Sequence, residues 1–164
     1  MQAYAIAAAA SLAALWAVPA DAAEISAEAA IARYCEPLAA GSSAGQVEAL
    51  ARKDGLEADT VAGQRVMRRG DLLVGLSDSP RVCFVQAPAR MTRTEGFAVV
   101  DAWAKRQAGA ARLAATAGPD GAPVRGWAVP ARKIALIATE QTSPAGPKVM
   151  NFILMPLPGG PATP

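Results

Sequence analysis

The chain contains two cysteines, Cys35 and Cys83, and their surroundings constrain the fold more than any other feature. Cys35 lies on the apolar stripe of a helix predicted to begin after Ser26, a residue type that caps helices. Cys83 alternates with Val85 in a predicted strand that follows a turn over residues 77–80. If the helix covers this side of the strand, the two sulfurs meet. The pattern therefore predicts a structural disulfide.

Two alternatives to the disulfide stay open on the sequence alone, namely two buried free thiols and a redox-active pair. Redox pairs usually occur as C-x-x-C at the N-terminus of a helix, and these two cysteines are separated by a long stretch of chain. The compartment in which the chain folds bears on the choice, because thiols oxidise outside the cytosol.

Residues 1–22 have the architecture of a secretory signal peptide. An uncharged apolar run extends from Ala3 to Val18, and Ala20-Asp21-Ala22 matches the small-residue pattern of a cleavage site. The run lacks a preceding Lys or Arg, so an uncleaved anchor is the alternative, although the run is short for a span of about 20 residues. We expect cleavage after Ala22 or Ala23, no stable membrane insertion, and a periplasmic or secreted location.

The charge balance and the absence of histidine exclude several classes of function. The chain has 16 basic and 14 acidic residues, a formal net charge of +2, and the basic residues are scattered, which argues against nucleic-acid binding. With no histidine, the chain cannot build a Ser-His-Asp or Cys-His pair or supply the commonest metal ligand. We therefore predict no catalytic residue from a known motif, no metal site and no cofactor.

The order of predicted helices and strands indicates an α+β fold. We expect a mostly antiparallel sheet of about five strands with two or three helices packed on one face. Capping boxes at Ser43 and Thr92 mark the starts of two helices, and Pro37 is expected to end or kink the first. Residues 23–155 are expected to form one domain, followed by a disordered Pro/Gly-rich tail at 156–164.

One candidate site lies at the predicted start of the third helix. The residues concerned are Arg90, Thr92, Arg93 and Thr94. A helix N-terminus with two arginines can bind a phosphate or a carboxylate, whereas the simpler reading is a helix cap with two solvated arginines. The simpler reading is favoured.

A second candidate site is apolar. In the last predicted strand, Met150, Phe152 and Leu154 oppose Val149 and Ile153, so both faces of the strand are apolar. Helices on one face bury only half of such a sheet, and the other face must meet a second layer, a homodimer partner or a different protein. We assign Met150, Phe152 and Leu154 as a possible interaction face.

The segments RYCEPLAAG and SDSPRVCFVQAP resemble small exported bacterial proteins of unknown function, in which a helix cysteine and a C-x-V strand cysteine occur in an α+β domain. The resemblance covers residues 31–87 and implies no activity. From the residues we expect a non-catalytic binding or interaction module stabilised by one disulfide. The alternatives are a hydrolase-type enzyme with a histidine-free Ser, Asp or Lys site, and an envelope inhibitor or structural protein.

Overall fold

The computed structural model describes residues 24–87, 90–114, 117–118, 121–142 and 146–157. The predicted signal segment, residues 1–22, and residues 158–164 of the predicted tail lie outside these ranges. Within them, no helix is both long and apolar enough to cross a membrane.

The first helical segment, α1, spans residues 27–39 and changes geometry along its length. Ala27–Ala30 and Glu36–Ala39 are α-helical, and Ile31–Cys35 between them form a π-helical turn. The wider turn ends two residues before Pro37, whose nitrogen has no hydrogen to donate to the ladder of helix hydrogen bonds. Pro37 therefore does not end the helix, which continues to Ala39.

The other two helices begin where their capping boxes predict. Helix α2 spans Ala44–Lys53, and helix α3 spans Arg93–Lys105. At both starts the cap side chain accepts from a backbone N–H three residues on, and the Gln or Glu at that position accepts from the N–H of the cap residue. These reciprocal bonds satisfy two of the N–H groups that a helix start leaves unpaired.

In the described residues, eight strands form one antiparallel sheet, more than the five or so expected from the sequence. They are β1 Glu57–Val61, β2 Gln64–Arg69, β3 Leu72–Asp78, β4 Arg81–Gln86, β5 Ala111–Arg112, β6 Val124–Val129, β7 Ile134–Thr142 and β8 Lys148–Pro156. Their order across the sheet is β1-β2-β3-β4-β8-β7-β6-β5.

The additional strand at one edge, β1, has no apolar alternation because its sequence, EADTV, is largely polar. Its pairing with β2 is fixed by a two-residue turn, Ala62-Gly63, in which both residues have positive φ angles of 49° and 77°. Such turns match the right-handed twist of a hairpin. A hairpin that lies at a sheet edge needs little apolar surface, which is why hydrophobic patterning does not reveal it.

The helices α1, α2 and α3 pack on the same face of the sheet and enclose one core. Buried side chains of β3, β4, β7 and β8 on that face join Ile31, Tyr34 and Leu38 of α1 and Val100 and Trp103 of α3. The indole N–H of Trp103 donates to Glu36 Oε1 at 3.0 Å, so the two longest helical segments are also joined to each other. We refer to this side as the helix-covered face.

The predicted disulfide is confirmed. Cys35 and Cys83 are bonded, with Cα atoms 5.2 Å apart, and both residues are buried. The bond joins the π-helical turn of α1 to the second strand of the β3–β4 hairpin. The bond therefore fixes which side of β4 the helix covers. The strand registers then determine on which side of the sheet every other side chain lies.

Candidate functional site on the open face of the sheet

The side of the sheet opposite the helices is the candidate site, and we call its central part the open face. Strand register places its members, since residues paired across antiparallel strands point to the same side. The members are Leu73, Gly75 and Ser77 of β3; Val82, Phe84 and Gln86 of β4; Val149, Asn151, Ile153 and Met155 of β8; and Ala135, Ile137, Thr139 and Gln141 of β7.

No charged residue occurs at any position of the open face. Phe84, Ile137, Ile153 and Met155 of this face are partly exposed, whereas its Leu73 and Val149 are buried. None of these six side chains belongs to the core under the helices. The helix-covered side of the same strands carries several charged residues, such as Arg81, Glu140 and Lys148. An uncharged, partly apolar surface of this kind is unusual on a protein with so many charged residues elsewhere.

Gly75 and Phe84 form the most tightly packed pair of the open face. They are directly opposed on β3 and β4, and the phenyl ring lies over the glycine. A Cβ atom placed on Gly75 would be 1.8 Å from Cε1 of Phe84. The absence of a side chain at Gly75 therefore lets the ring lie down against the sheet, which flattens the face at this point.

Amide side chains run beside this apolar row. Gln86 and Asn151 are direct partners across β4 and β8, and Asn151 pairs with Thr139 of β7. Asn151 Nδ2 donates to Gln141 Oε1 at 2.9 Å. Within the described residues Gln86 has no side-chain hydrogen bond, and the buried Thr139 hydroxyl likewise has none. Gln86 and Gln141 are partly exposed, whereas Asn151 and Thr139 are buried, so the two glutamines supply the uncharged donors and acceptors that reach the surface here.

The open face has different borders on its two sides. Next to β7, Leu113 lies over Gly126 of β6, with its Cδ1 2.9 Å from the position of a Cβ there, and Gly118 lies over Thr139. Next to β3, the outer strands carry an ion pair between Arg68 and Asp59 with N and O atoms 3.1 Å apart. An uncharged centre is therefore bounded by a covered side and a charged side.

The residues assigned from the sequence as an interaction face lie on the other side of β8. Met150, Phe152 and Leu154 are 1%, 0% and 2% exposed and belong to the core beneath the helices. They are inaccessible to a partner in this fold. The alternate residues of the same strand, Val149, Asn151, Ile153 and Met155, form the open face instead.

In the segment predicted to bind an anion, Arg90, Thr92 and Arg93 bond carboxylates of the protein itself. Arg90 forms an ion pair with Glu24, and Arg93 donates to Glu140 at 2.6 Å. Thr92 caps α3 and bonds Glu95, while Thr94 is an exposed residue of its first turn. Thr92 therefore acts as the helix cap, and both arginines are ion-paired.

A hollow of about 340 Å³ lies beside this segment, between the start of α1 and the start of α3. Ile25, Met91 and Val99 contribute its apolar lining, and Glu24, Arg90 and Glu95 are among its polar residues. The two oppositely charged residues closest to each other there, Glu24 and Arg90, already form a pair, so the hollow presents no unpaired charge from them.

Two carboxylates between α3 and the sheet, Asp101 of α3 and Glu140 of β7, both accept hydrogen bonds. Asp101 of α3 accepts from Arg125 at 2.6 Å and from the indole N–H of Trp127 at 2.8 Å, and Arg125 lies over the ring of Phe97. The hydrogen bond from Arg93 holds the pKa of Glu140 below its ordinary value. Both carboxylates connect α3 to the β6–β7 side of the sheet.

A second polar cluster connects α1 to the end of α2. Arg33 forms a two-nitrogen ion pair with Asp54, and the buried Tyr34 hydroxyl donates to Asp54 Oδ2 at 2.9 Å. The hydrogen bond from Arg33 lowers the pKa of Asp54, and burial, followed by the bond to Asp54, raises the pKa of Tyr34 to about 12. Among the described residues, no three Cys, Asp or Glu side chains are grouped as metal ligands.

The apolar pattern of β8 predicts the strand that carries the candidate site but not which side of that strand is exposed. Asn151 gave one signal, because it interrupts one of the two apolar faces of β8, and it lies on the open face although its side chain is buried there. Phe84 gave another, because it points away from Cys83 on the same strand. Gln86 lies on the same side as Phe84 and extends that signal along β4.

The chain matches no protein-family model, no curated protein and no solved structure at a significant level. The geometry of its own residues therefore carries the functional argument.

Proposed function

We propose that this protein is an exported, non-catalytic binding domain that contacts its partner through the open face of the sheet. The observation that carries the proposal is the absence of charge across four central strands, β3, β4, β8 and β7, on the side opposite α1, α2 and α3. The centres of protein interfaces are depleted in charged residues, whereas surfaces that only meet water are not.

The polar groups of the protein support binding over catalysis. General acid–base catalysis favours carboxyl groups whose pKa is raised toward neutrality. The shifts here run the other way, because hydrogen bonds lower the pKa of Asp54, Asp59, Glu95 and Glu140. Each of these groups holds a helix end, a hairpin or a helix–sheet contact.

Export is supported by the Cys35–Cys83 disulfide together with the signal-like segment at residues 1–22. Disulfides persist in the periplasm and outside cells and are rare in the cytosol. We therefore place the binding event in the periplasm or outside the cell.

A photo-reactive amino acid at position 153, on the open face, tests the proposal in cells that make the protein. The matched control carries the same amino acid at position 98, an exposed alanine on the outer side of α3. We expect a specific cross-linked species from position 153 and not from position 98. Equal cross-linking from both positions, or none from position 153, would contradict a binding role for this face.

A further inference from the structure

We infer that the end of the domain at which α3 and β6 terminate binds the surface of a bilayer that contains anionic phospholipid. The surface concerned is separate from the open face, and the inference does not depend on what the open face binds. We call this surface the basic end and define it by five exposed residues, Lys105, Arg106, Arg112, Arg132 and Lys133. These residues are far apart in the sequence, and the fold brings them together.

The end of α3 and the turn between β6 and β7 contact each other. Helix α3 ends at Lys105, and Arg106 follows as its C-cap. In the turn, Arg132 Nη1 donates to Gln107 Oε1 at 2.7 Å, and Lys133 comes directly after Arg132. The turn therefore places two cations beside the two cations at the end of the helix.

Arg112 joins the basic end from the edge strand β5. It is paired with Trp127 of β6, so both side chains lie on the same side of the sheet. The indole N–H of Trp127 donates to Asp101 of α3 at 2.8 Å, which identifies that side as the helix-covered face. Lys105 lies one helical turn, about 5.4 Å, beyond Asp101. Lys105 and Arg112 are therefore on the same side of the domain, opposite the open face.

The cations of the basic end differ from most others in lacking carboxylate partners. In the described part of the chain, nine Lys and Arg side chains form ion pairs with carboxylates. Arg106, which pairs with Glu28, is the one member of the basic end among them. The other four cations of the basic end keep their full charge, and such a cluster produces a positive potential that attracts an anionic surface.

The helix accounts for only part of this cluster. Lys105 and Arg106 lie at the C-terminus of α3, where the helix dipole favours cations. Arg112, Arg132 and Lys133 lie on an edge strand and a turn, where no helix end explains them. Their charge is therefore available for a partner.

The form of the cluster favours a charged surface over a small anion. A site for a single phosphate brings several donors together in a pocket. The five cations here come from a helix end, an edge strand and a turn, and all of them are exposed. Exposed Pro130 and Ala131, together with half-buried Leu157, add only a small apolar area. Binding is therefore expected to be electrostatic, superficial and sensitive to salt.

Co-flotation with lipid vesicles in low and in high salt tests the inference. The protein without residues 1–22 is used, because the core lies within residues 24–157 and the apolar run at residues 3–18 would itself bind lipid. One set of vesicles contains phosphatidylcholine alone, and the other contains phosphatidylcholine and phosphatidylglycerol in a ratio of about 3 to 1. This comparison uses the parent protein and does not depend on the folding of any variant.

Two double variants locate the binding surface. The first combines Lys105→Gln with Arg112→Gln at the basic end. The control combines Lys53→Gln with Arg81→Gln, which removes the same charge from two other exposed residues that form no ion pair within the described part of the chain. Far-UV circular dichroism and the absence of free thiol confirm that each variant is folded and bridged.

We expect the parent protein to float with the phosphatidylglycerol vesicles in low salt, and not in high salt or with phosphatidylcholine alone. Each cation near an anionic bilayer contributes about fivefold to the partition coefficient, so the basic-end variant should bind about 25-fold more weakly and the control within about threefold of the parent. A parent protein that does not float with the phosphatidylglycerol vesicles overturns the inference, as does an equal loss of binding in the two variants.

Inorganic polyphosphate distinguishes a bilayer from a soluble polyanion. Sedimentation velocity of the parent protein with polyphosphate, at the phosphate concentration of the vesicles, measures that binding. Binding to the phosphatidylglycerol vesicles that is at least as tight supports the inference. Tighter binding to polyphosphate overturns it and assigns the basic end to a soluble polyanion.

Discussion

The phenyl ring of Phe84 occupies the space that a side chain at Gly75 would fill, with Cε1 1.8 Å from the position of a Cβ atom. The two residues are paired across β3 and β4, and the ring is partly exposed on the other side. This pair therefore shapes the open face. The contribution of the pair to the stability of the fold can be measured separately from any binding.

Gly75→Ala should lower the free energy of unfolding by about 1–3 kcal/mol, because the added methyl group forces the ring away from the sheet. The backbone at Gly75 does not require a positive φ angle, so the loss arises from the overlap alone. Urea denaturation of the parent and the variant measures the difference.

The matched control for this substitution is the same change in a Phe84→Ala background, where no ring is present to be displaced. Gly75→Ala should then have little effect or a small stabilising one, since alanine favours strands over glycine. An equal loss of stability in both backgrounds would show that the ring is not the cause.

Replacing both cysteines, Cys35→Ala with Cys83→Ala, should lower the free energy of unfolding by about 4 kcal/mol, because the bond closes a long loop in the unfolded chain. The separation of the two residues is 48 positions. The free energies of unfolding of the double variant and of the reduced parent protein, both measured in urea, should agree to within about 1 kcal/mol. The reduced parent protein lacks the bond but keeps both side chains, so the comparison separates the lost bond from the small cavities left by alanine. A loss below about 1 kcal/mol in both would contradict a structural role for the bridge.

Local sequence patterns predict two helix starts and the disulfide, because each of these features depends on few residues. The helix starts at Ser43 and Thr92 follow from capping boxes, and the disulfide follows from the apolar stripe of α1 and the alternation around Cys83. Each of these depends on residues a few positions apart, or on one helix meeting one strand.

The exposed side of β8 depends on a relationship that no local pattern contains. Both faces of the strand are apolar, and its orientation is set by its register with β4, in which Cys83 pairs with Leu154. A shift by one residue would exchange Phe152 and Ile153 between the core and the open face. The polar strand β1 is similarly set by its hairpin turn rather than by apolar alternation.

Asp54→Asn should reduce the loss of stability in acid. The hydrogen bond from Arg33 lowers the pKa of Asp54 from its ordinary value of 3.8, so the folded protein favours the ionised carboxylate. The resulting stabilisation is fully present above pH 3.8 and is lost as the pH falls through the lowered pKa.

The measurement is the free energy of unfolding in urea at several pH values below and above 3.8. The Asn variant should be less stable than the parent near neutral pH, and the two should converge in acid. Asp71→Asn, at an exposed position between β2 and β3, is the control for removing one carboxylate from the chain. A constant gap between parent and Asp54→Asn at all pH values would contradict this account.

Tyr34 should make the protein sensitive to strong alkali. Burial raises the pKa of Tyr34 from 10.0 to about 12, so the folded state holds the phenolic proton more tightly than the unfolded state does. The stabilisation is complete below pH 10.0 and is lost as the pH rises toward about 12, because the unfolded chain releases its proton first.

Tyr34→Phe removes this dependence together with the hydrogen bond to Asp54. The variant should be about 1 kcal/mol less stable than the parent near neutral pH, and the difference should shrink in alkali. The second tyrosine of the chain, Tyr4, lies in the predicted signal segment, so tyrosinate absorbance of the protein without residues 1–22 reports Tyr34 alone. A titration midpoint near 10.0 in the folded protein would contradict the burial and bonding of this hydroxyl.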